Sequence, residues 1–143
     1  MHHTKTTIFL LFSVFVSLLC GCSDGPTLYP VKGKAFFNDQ PMVGADVIFH
    51  STSNTAIDEV KPAAKVDEQG NFELITGGKT GAPAGTYKVT FFWAGKQGSK
   101  GLGGDAEGPG KNAVSEQYQF PDKAIIEVAI TEDTRELEPF RLK

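Results

Sequence analysis

From Tyr29 onward the chain carries no window of helical period. Apolar and polar residues alternate instead, and Gly, Pro, Asn and Asp punctuate the alternation. The clearest stretch is 86–93, where Tyr87, Val89, Phe91 and Trp93 share one phase and Lys88 and Thr90 the other. Residues 125–130 are nearly as regular, with Ile126, Val128 and Ile130 in step. The same pattern predicts strands over 31–37 (Val31, Ala35, Phe37 inward) and 45–51 (Val47, Phe49 inward; Asp46, Ile48, His50 outward). It predicts three more over 63–66, 71–76 (Phe72, Leu74 inward) and 136–142 (Phe140, Leu142 in phase). Residues 38–41 and 67–70 read as turns, 51–60 as a polar loop and 77–85 as a connection. Pro139 cannot donate to a ladder, which puts the last strand at an edge or a bulge. Seven short strands joined by turns predict an all-β protein, a seven-stranded antiparallel β-sandwich with one apolar face of each sheet turned inward.

Two segments break this pattern. Residues 95–110 hold seven Gly in sixteen and only Leu102 and Ala106 as apolar side chains. Such a segment buries too little surface to offset the entropy of ordering it. After it, Val114, Tyr118 and Phe120 are expected to pin the chain back onto the sandwich. The other exception is the apolar run 8–19, preceded by Lys5. Twelve helical residues reach about 18 Å, against a hydrocarbon core of roughly 30 Å. The run therefore reads as the core of a signal peptide and not as a membrane span.

Composition narrows the function classes. One domain fits 143 residues, and 40% apolar content fills one core. A formal net charge of −3 argues against a nucleic-acid partner, and Lys96, Lys100 and Lys111 are too scattered to form a basic patch. The two Cys and three His cannot supply both a metal cluster and a disulfide framework. His50 is the single His beyond the leader and has no nucleophile at a recognised spacing, so it reads as a solvent-facing strand-end residue. Asp67, Glu68 and Asn71 lack the alternating oxygens and distal Glu of an EF-hand loop. Asp105 and Glu107 read as solvated loop charge. Trp93, at the end of its strand beside the Gly-rich segment, is the one candidate ligand contact, an aromatic that could stack on a sugar ring. No catalytic residue, metal ligand or cofactor site is expected.

The run 8–19 ends in Leu19-Cys20-Gly21-Cys22, which resembles the bacterial lipobox. Cys22 fits the acylated position, with Gly21 before it and Leu19 three residues upstream; Cys20 fits poorly, because Leu19 would occupy the small site. The resemblance implies a signal peptide over 1–21, export through a signal peptidase II pathway, and lipid attachment at Cys22. Three acyl chains then tether the protein permanently, since each buried CH₂ contributes about 0.8 kcal/mol and more than one chain anchors stably. Residues 22–28 become a short tether and 29–143 the domain. Ser23, in place of Asp, points by analogy to the outer membrane of a cell envelope.

Three further motifs share a second resemblance. Val31-Lys32-Gly33-Lys34-Ala35 with Pro41-Met42-Val43-Gly44-Ala45-Asp46-Val47 forms the first, Asp67-Glu68-Gln69-Gly70-Asn71-Phe72 the second, and Pro83-Ala84-Gly85-Thr86-Tyr87-Lys88-Val89 the third. In order and spacing they resemble the carboxypeptidase regulatory-like domain, a prealbumin-like (transthyretin-like) sandwich, over residues 31–142. Residues 114–121 resemble a further element of such lipoproteins, with Ser115 where a Pro is usual. The resemblance implies no catalytic set. An enzyme class on this fold that hydrolyses 5-hydroxyisourate uses several His and Arg and a Tyr-Arg-Gly-Ser tail. This chain ends Phe140-Arg141-Leu142-Lys143. The expectation is a membrane-anchored, non-enzymatic envelope lipoprotein carrying a structural or protein-interaction module. A carbohydrate-binding module at the cell surface is the alternative, so the expected partners are the membrane, an envelope protein or a glycan.

Overall fold

The computed structural model describes residues 25–53, 60–94 and 112–143. Ten strands form two sheets: β1 (Lys32–Phe37), β2 (Gln40–Pro41), β3 (Asp46–Ser51), β4 (Ala63–Lys65), β5 (Asn71–Glu73), β6 (Ile75–Thr76), β7 (Lys79–Thr80), β8 (Gly85–Phe92), β9 (Glu127–Ile130) and β10 (Phe140–Leu142). One sheet has β1 at its centre, flanked by β10 on one side and by β2 and β5 on the other. The second runs β7-β6-β4-β3-β8-β9. A single 3₁₀ turn, Glu116–Tyr118, is the helical element among the described residues. The protein is thus all-β, and its two sheets enclose one core as a sandwich.

Every strand expected from the alternation is present, and the inward phases hold. Val31, Ala35, Val47, Phe49, Leu74 and Val89 are fully buried, and Phe72, Tyr87, Phe91, Ile130, Phe140 and Leu142 nearly so. Three details differ. Residues 71–76 split at Leu74: β5 pairs with β1 in one sheet and β6 with β4 in the other. The period of two continues through the switch, so the sequence pattern carries no sign of it. Two-residue strands form where none is expected, β2 inside the turn 38–41 and β7 inside the connection 77–85. Asn38 and Asp39 both adopt positive φ (47° and 61°), which closes a two-residue hairpin that pairs Phe37 with Gln40. The sandwich is also not wholly antiparallel. β10 runs parallel to β1, with Ala35 opposite Phe140 and Phe37 opposite Leu142. Parallel neighbours need a long crossover, and here the rest of the domain supplies it. Of residues 136–142 only Phe140–Leu142 form a strand, with Glu136 making an isolated parallel bridge to Lys32. Leu137 N–H reaches the Lys32 carbonyl at 2.8 Å before Pro139 leads into β10 at the sheet edge.

The core is aromatic at its centre. Phe140 stacks on Phe72 (5.9 Å, 11°), meets Phe91 edge-on (5.5 Å, 80°) and lies 6.4 Å from Phe49. One ring therefore links its own sheet to the middle strands of the other. Gly33 is where a side chain would do harm: a Cβ there would fall 2.4 Å from the Phe72 ring, which covers the glycine from the paired strand. Of the three residues expected to anchor the chain after the Gly-rich segment, Val114 and Tyr118 are buried, while Phe120 is 46% exposed. The 3₁₀ turn aims Tyr118 inward and leaves Phe120 beyond it, over the Lys123 ammonium.

Phe140→Ala should cost about 3–5 kcal/mol in urea unfolding, because it removes a buried ring and leaves a cavity between the sheets. A loss below about 1 kcal/mol would show that the junction is not where the two sheets are held.

Candidate functional site

Cys22 lies outside the described residues, as do residues 95–111 with Lys96, Lys100, Asp105, Glu107 and Lys111. The described candidates occupy three places.

Trp93 follows β8 at the rim of the core. Its ring is 8% exposed and packs against Phe37 (centroids 5.5 Å, 57°). Its indole N–H donates to the Val43 carbonyl at 3.0 Å. Both the apolar body and the polar tip are used internally, so the candidate ligand contact is a buried ring with no face free to stack on a sugar. Beside it stands Asn112, which the sequence reading did not single out. Its Oδ1 accepts the Trp93 N–H at 2.9 Å and the Val114 N–H at 3.4 Å, and its Nδ2 donates to the Phe91 carbonyl at 3.0 Å. Ala113 N–H also reaches the Trp93 carbonyl at 2.7 Å. Asn112 thus clamps the returning chain to the end of β8. An Asn just after a Gly-rich run was the available signal, but its partners are distant in sequence.

Asp67 closes its turn as the motif implied. Its Oδ1 accepts the Gln69 and Asn71 N–H groups at 2.9 and 2.8 Å, and Gly70 takes φ +85°. Burial pushes the carboxyl up, but the donors of Asn71 and Gln69 outweigh it and hold Asp67 below the ordinary carboxylate value. With its lone pairs engaged by its own backbone, it reads as a fold-forming residue. Among the described residues no three His, Cys, Asp or Glu side chains gather at metal-binding distance.

His50 is not the freely solvated residue expected. It is half-buried on the outward side of β3, with Nε2 2.8 Å from Thr90 Oγ1. Burial first, and the Lys61 charge second, hold its pKa below 6.5. Elsewhere, on the other sheet, a groove of about 570 Å³ is lined by Lys32, Lys34, Asn71, Phe72, Arg135 and Glu136. Its charged lining residues are of both signs, and Lys32 also sits 3.8 Å from Glu73, both side chains well exposed, so this side of the sheet carries mixed, screened charge.

No family model, no curated protein and no solved structure matches this chain. What is established is the class, a two-sheet all-β sandwich.

Two outcomes follow from this geometry. Asn112→Ala leaves backbone groups of Phe91, Trp93 and Val114 without their side-chain partner and should lower stability by about 1–3 kcal/mol; a change under about 0.5 kcal/mol in urea unfolding would dismiss the clamp. For His50, the folded state binds the proton less readily than the unfolded chain. Its contribution is therefore complete above pH 6.5 and drains away as pH falls through and below that value. Urea midpoints should drop between about pH 7.5 and about pH 5.5, and His50→Gln should flatten that drop. An equal drop in both proteins would assign the pH dependence to other groups.

Proposed function

We propose that this chain is an envelope lipoprotein acylated on Cys22, whose β-sandwich serves as a non-enzymatic structural or protein-interaction module of the carboxypeptidase regulatory-like (prealbumin-like) kind. The single observation that carries the anchor is the placement of Cys22. It stands at the end of the apolar run 8–19 with Gly21 and Leu19 before it, seven positions ahead of Tyr29, the first residue to pair with the sandwich. The leader explains the run, and the acyl group explains a Cys that no other thiol in the domain could bridge.

Buried polar side-chain atoms among the described residues all have partners within the fold. The turn formed by Asp67, Gly70 and Phe72 supports the family reading, because those residues do the work the motif requires of them. The carbohydrate alternative loses its main residue with Trp93 buried.

Metabolic labelling with radiolabelled palmitate in a bacterial host tests the anchor. Wild type should take up label and fractionate with membranes, and Cys22→Ser should do neither. Label retained by Cys22→Ser, or absent from wild type, would refute it.

A further inference from the structure

The outward face of the six-stranded sheet is ordered in rows. Register places Thr80, Ile75, Ala63, Ile48 and Thr90 side by side from β7 to β8, and Ile125 continues that face just ahead of β9. Ile75 is 49% and Ile125 62% exposed. The next row carries two lysines. His50 lies opposite Lys88, and the bond from Phe49 N–H to the Pro62 carbonyl puts Lys61 opposite His50 on the other side. Glu127 faces Lys88 at the far edge. On the opposite flank, Phe92 stands across from Asp46, which Lys65 neutralises at 2.8 Å. A chain of net charge −3 thus presents one sheet face on which the exposed Ile75 and Ile125 adjoin a row where two lysines outnumber Glu127.

The route of the chain adds direction. Tyr29 pairs with Ala82, immediately after β7, the outer strand of this same sheet. Residues 23–28 reach about 20 Å when extended. An anchor at Cys22 therefore enters the domain at this edge and raises the local concentration of lipid for the adjoining face.

We propose that the outward face of the six-stranded sheet docks on an anionic lipid surface, with Ile75 and Ile48 at the headgroup boundary and Lys61 and Lys88 on the phosphates. This rests on the acylation at Cys22. Each basic residue near an anionic leaflet adds to the attraction, and salt screens it. The sandwich would then lie along the membrane and not stand off from it.

The full acylated protein, reconstituted in vesicles of phosphatidylglycerol and phosphatidylethanolamine, provides the test. A polarity-sensitive fluorophore is attached at Ile75→Cys, or at Lys34→Cys on the outward side of β1 as control. The Ile75 reporter should shift to the blue on anionic vesicles and not on phosphatidylcholine, while the Lys34 reporter stays unchanged. Adding Lys61→Glu and Lys88→Glu should lower the docked-to-free ratio at least about tenfold. Protein that is acylated and floats with the vesicles, yet shows no shift at Ile75, overturns the docking and leaves the anchor intact. Protein that carries no acyl group overturns both. A shift that grows with protein density on neutral vesicles would mean that a second copy covers the face, and would overturn the lipid assignment.

Discussion

The Phe140 ring is the point at which the two sheets become one structure. It arrives on the last strand, stacks on Phe72 beside it, and presses its edges toward Phe49 and Phe91 on the middle strands of the opposite sheet. Aromatic pairs of this kind contribute about 0.5–1.5 kcal/mol each beyond the area they bury. That matters here because both Cys precede residue 29, so no disulfide can tie the sandwich. The pairing that delivers Phe140 is equally long in range. β10 lies parallel to β1, so the first and last strands must meet before the core can close. Such non-local closure is slow, since the loop entropy is lost before the contacts that reward it form.

An aromatic core that includes Tyr and Trp needs acceptors for their polar tips. The fold supplies backbone carbonyls. Tyr87 Oη donates to Pro83 at 2.8 Å, Trp93 Nε1 to Val43 at 3.0 Å, and the buried Thr76 hydroxyl to Gly81 at 2.6 Å. Burial lifts the Tyr87 pKa above its usual value, which keeps the phenol a donor at any physiological pH. Each bond also ties a strand to a neighbouring turn. Trp93, the one candidate ligand contact, is thereby committed to holding the sandwich together.

Strand positions were legible wherever one face is buried, because burial writes a period of two into the sequence. Residues 86–93 are the plainest case. The split of 71–76 between sheets was hidden because Phe72, Leu74 and Thr76 all stay inward while their backbone changes partners. The parallel pairing of β10 was hidden for a related reason: alternation reports which face is buried and not which way the neighbour runs. Phe120 misled because hydrophobicity alone does not say where a 3₁₀ turn aims its residues. Asn112 and His50 owe their roles to Trp93 and Thr90, 19 and 40 positions away, and no local pattern encodes such partners. Cys22 and the apolar run 8–19 are the reverse case: the expectations placed on them come from the sequence alone, and both lie outside the described residues.

Among the described residues, rings and satisfied hydrogen bonds fill the core, and the charged groups lie on the two outer faces. The sheet built on β1 offers mixed charge around Lys32, Glu73, Arg135 and Glu136. On the six-stranded sheet Lys61 and Lys88 flank His50 in one row that ends at Glu127. Burial, and the Lys61 charge after it, disfavour the protonated form of His50, which relieves the repulsion that like charges on neighbouring strands would bring. Tyr29 pairs with Ala82 just beyond β7, so the chain enters the sandwich at the edge of this sheet, and Ile75 on the neighbouring β6 stays half exposed because the inward residues of the same strands already close the core.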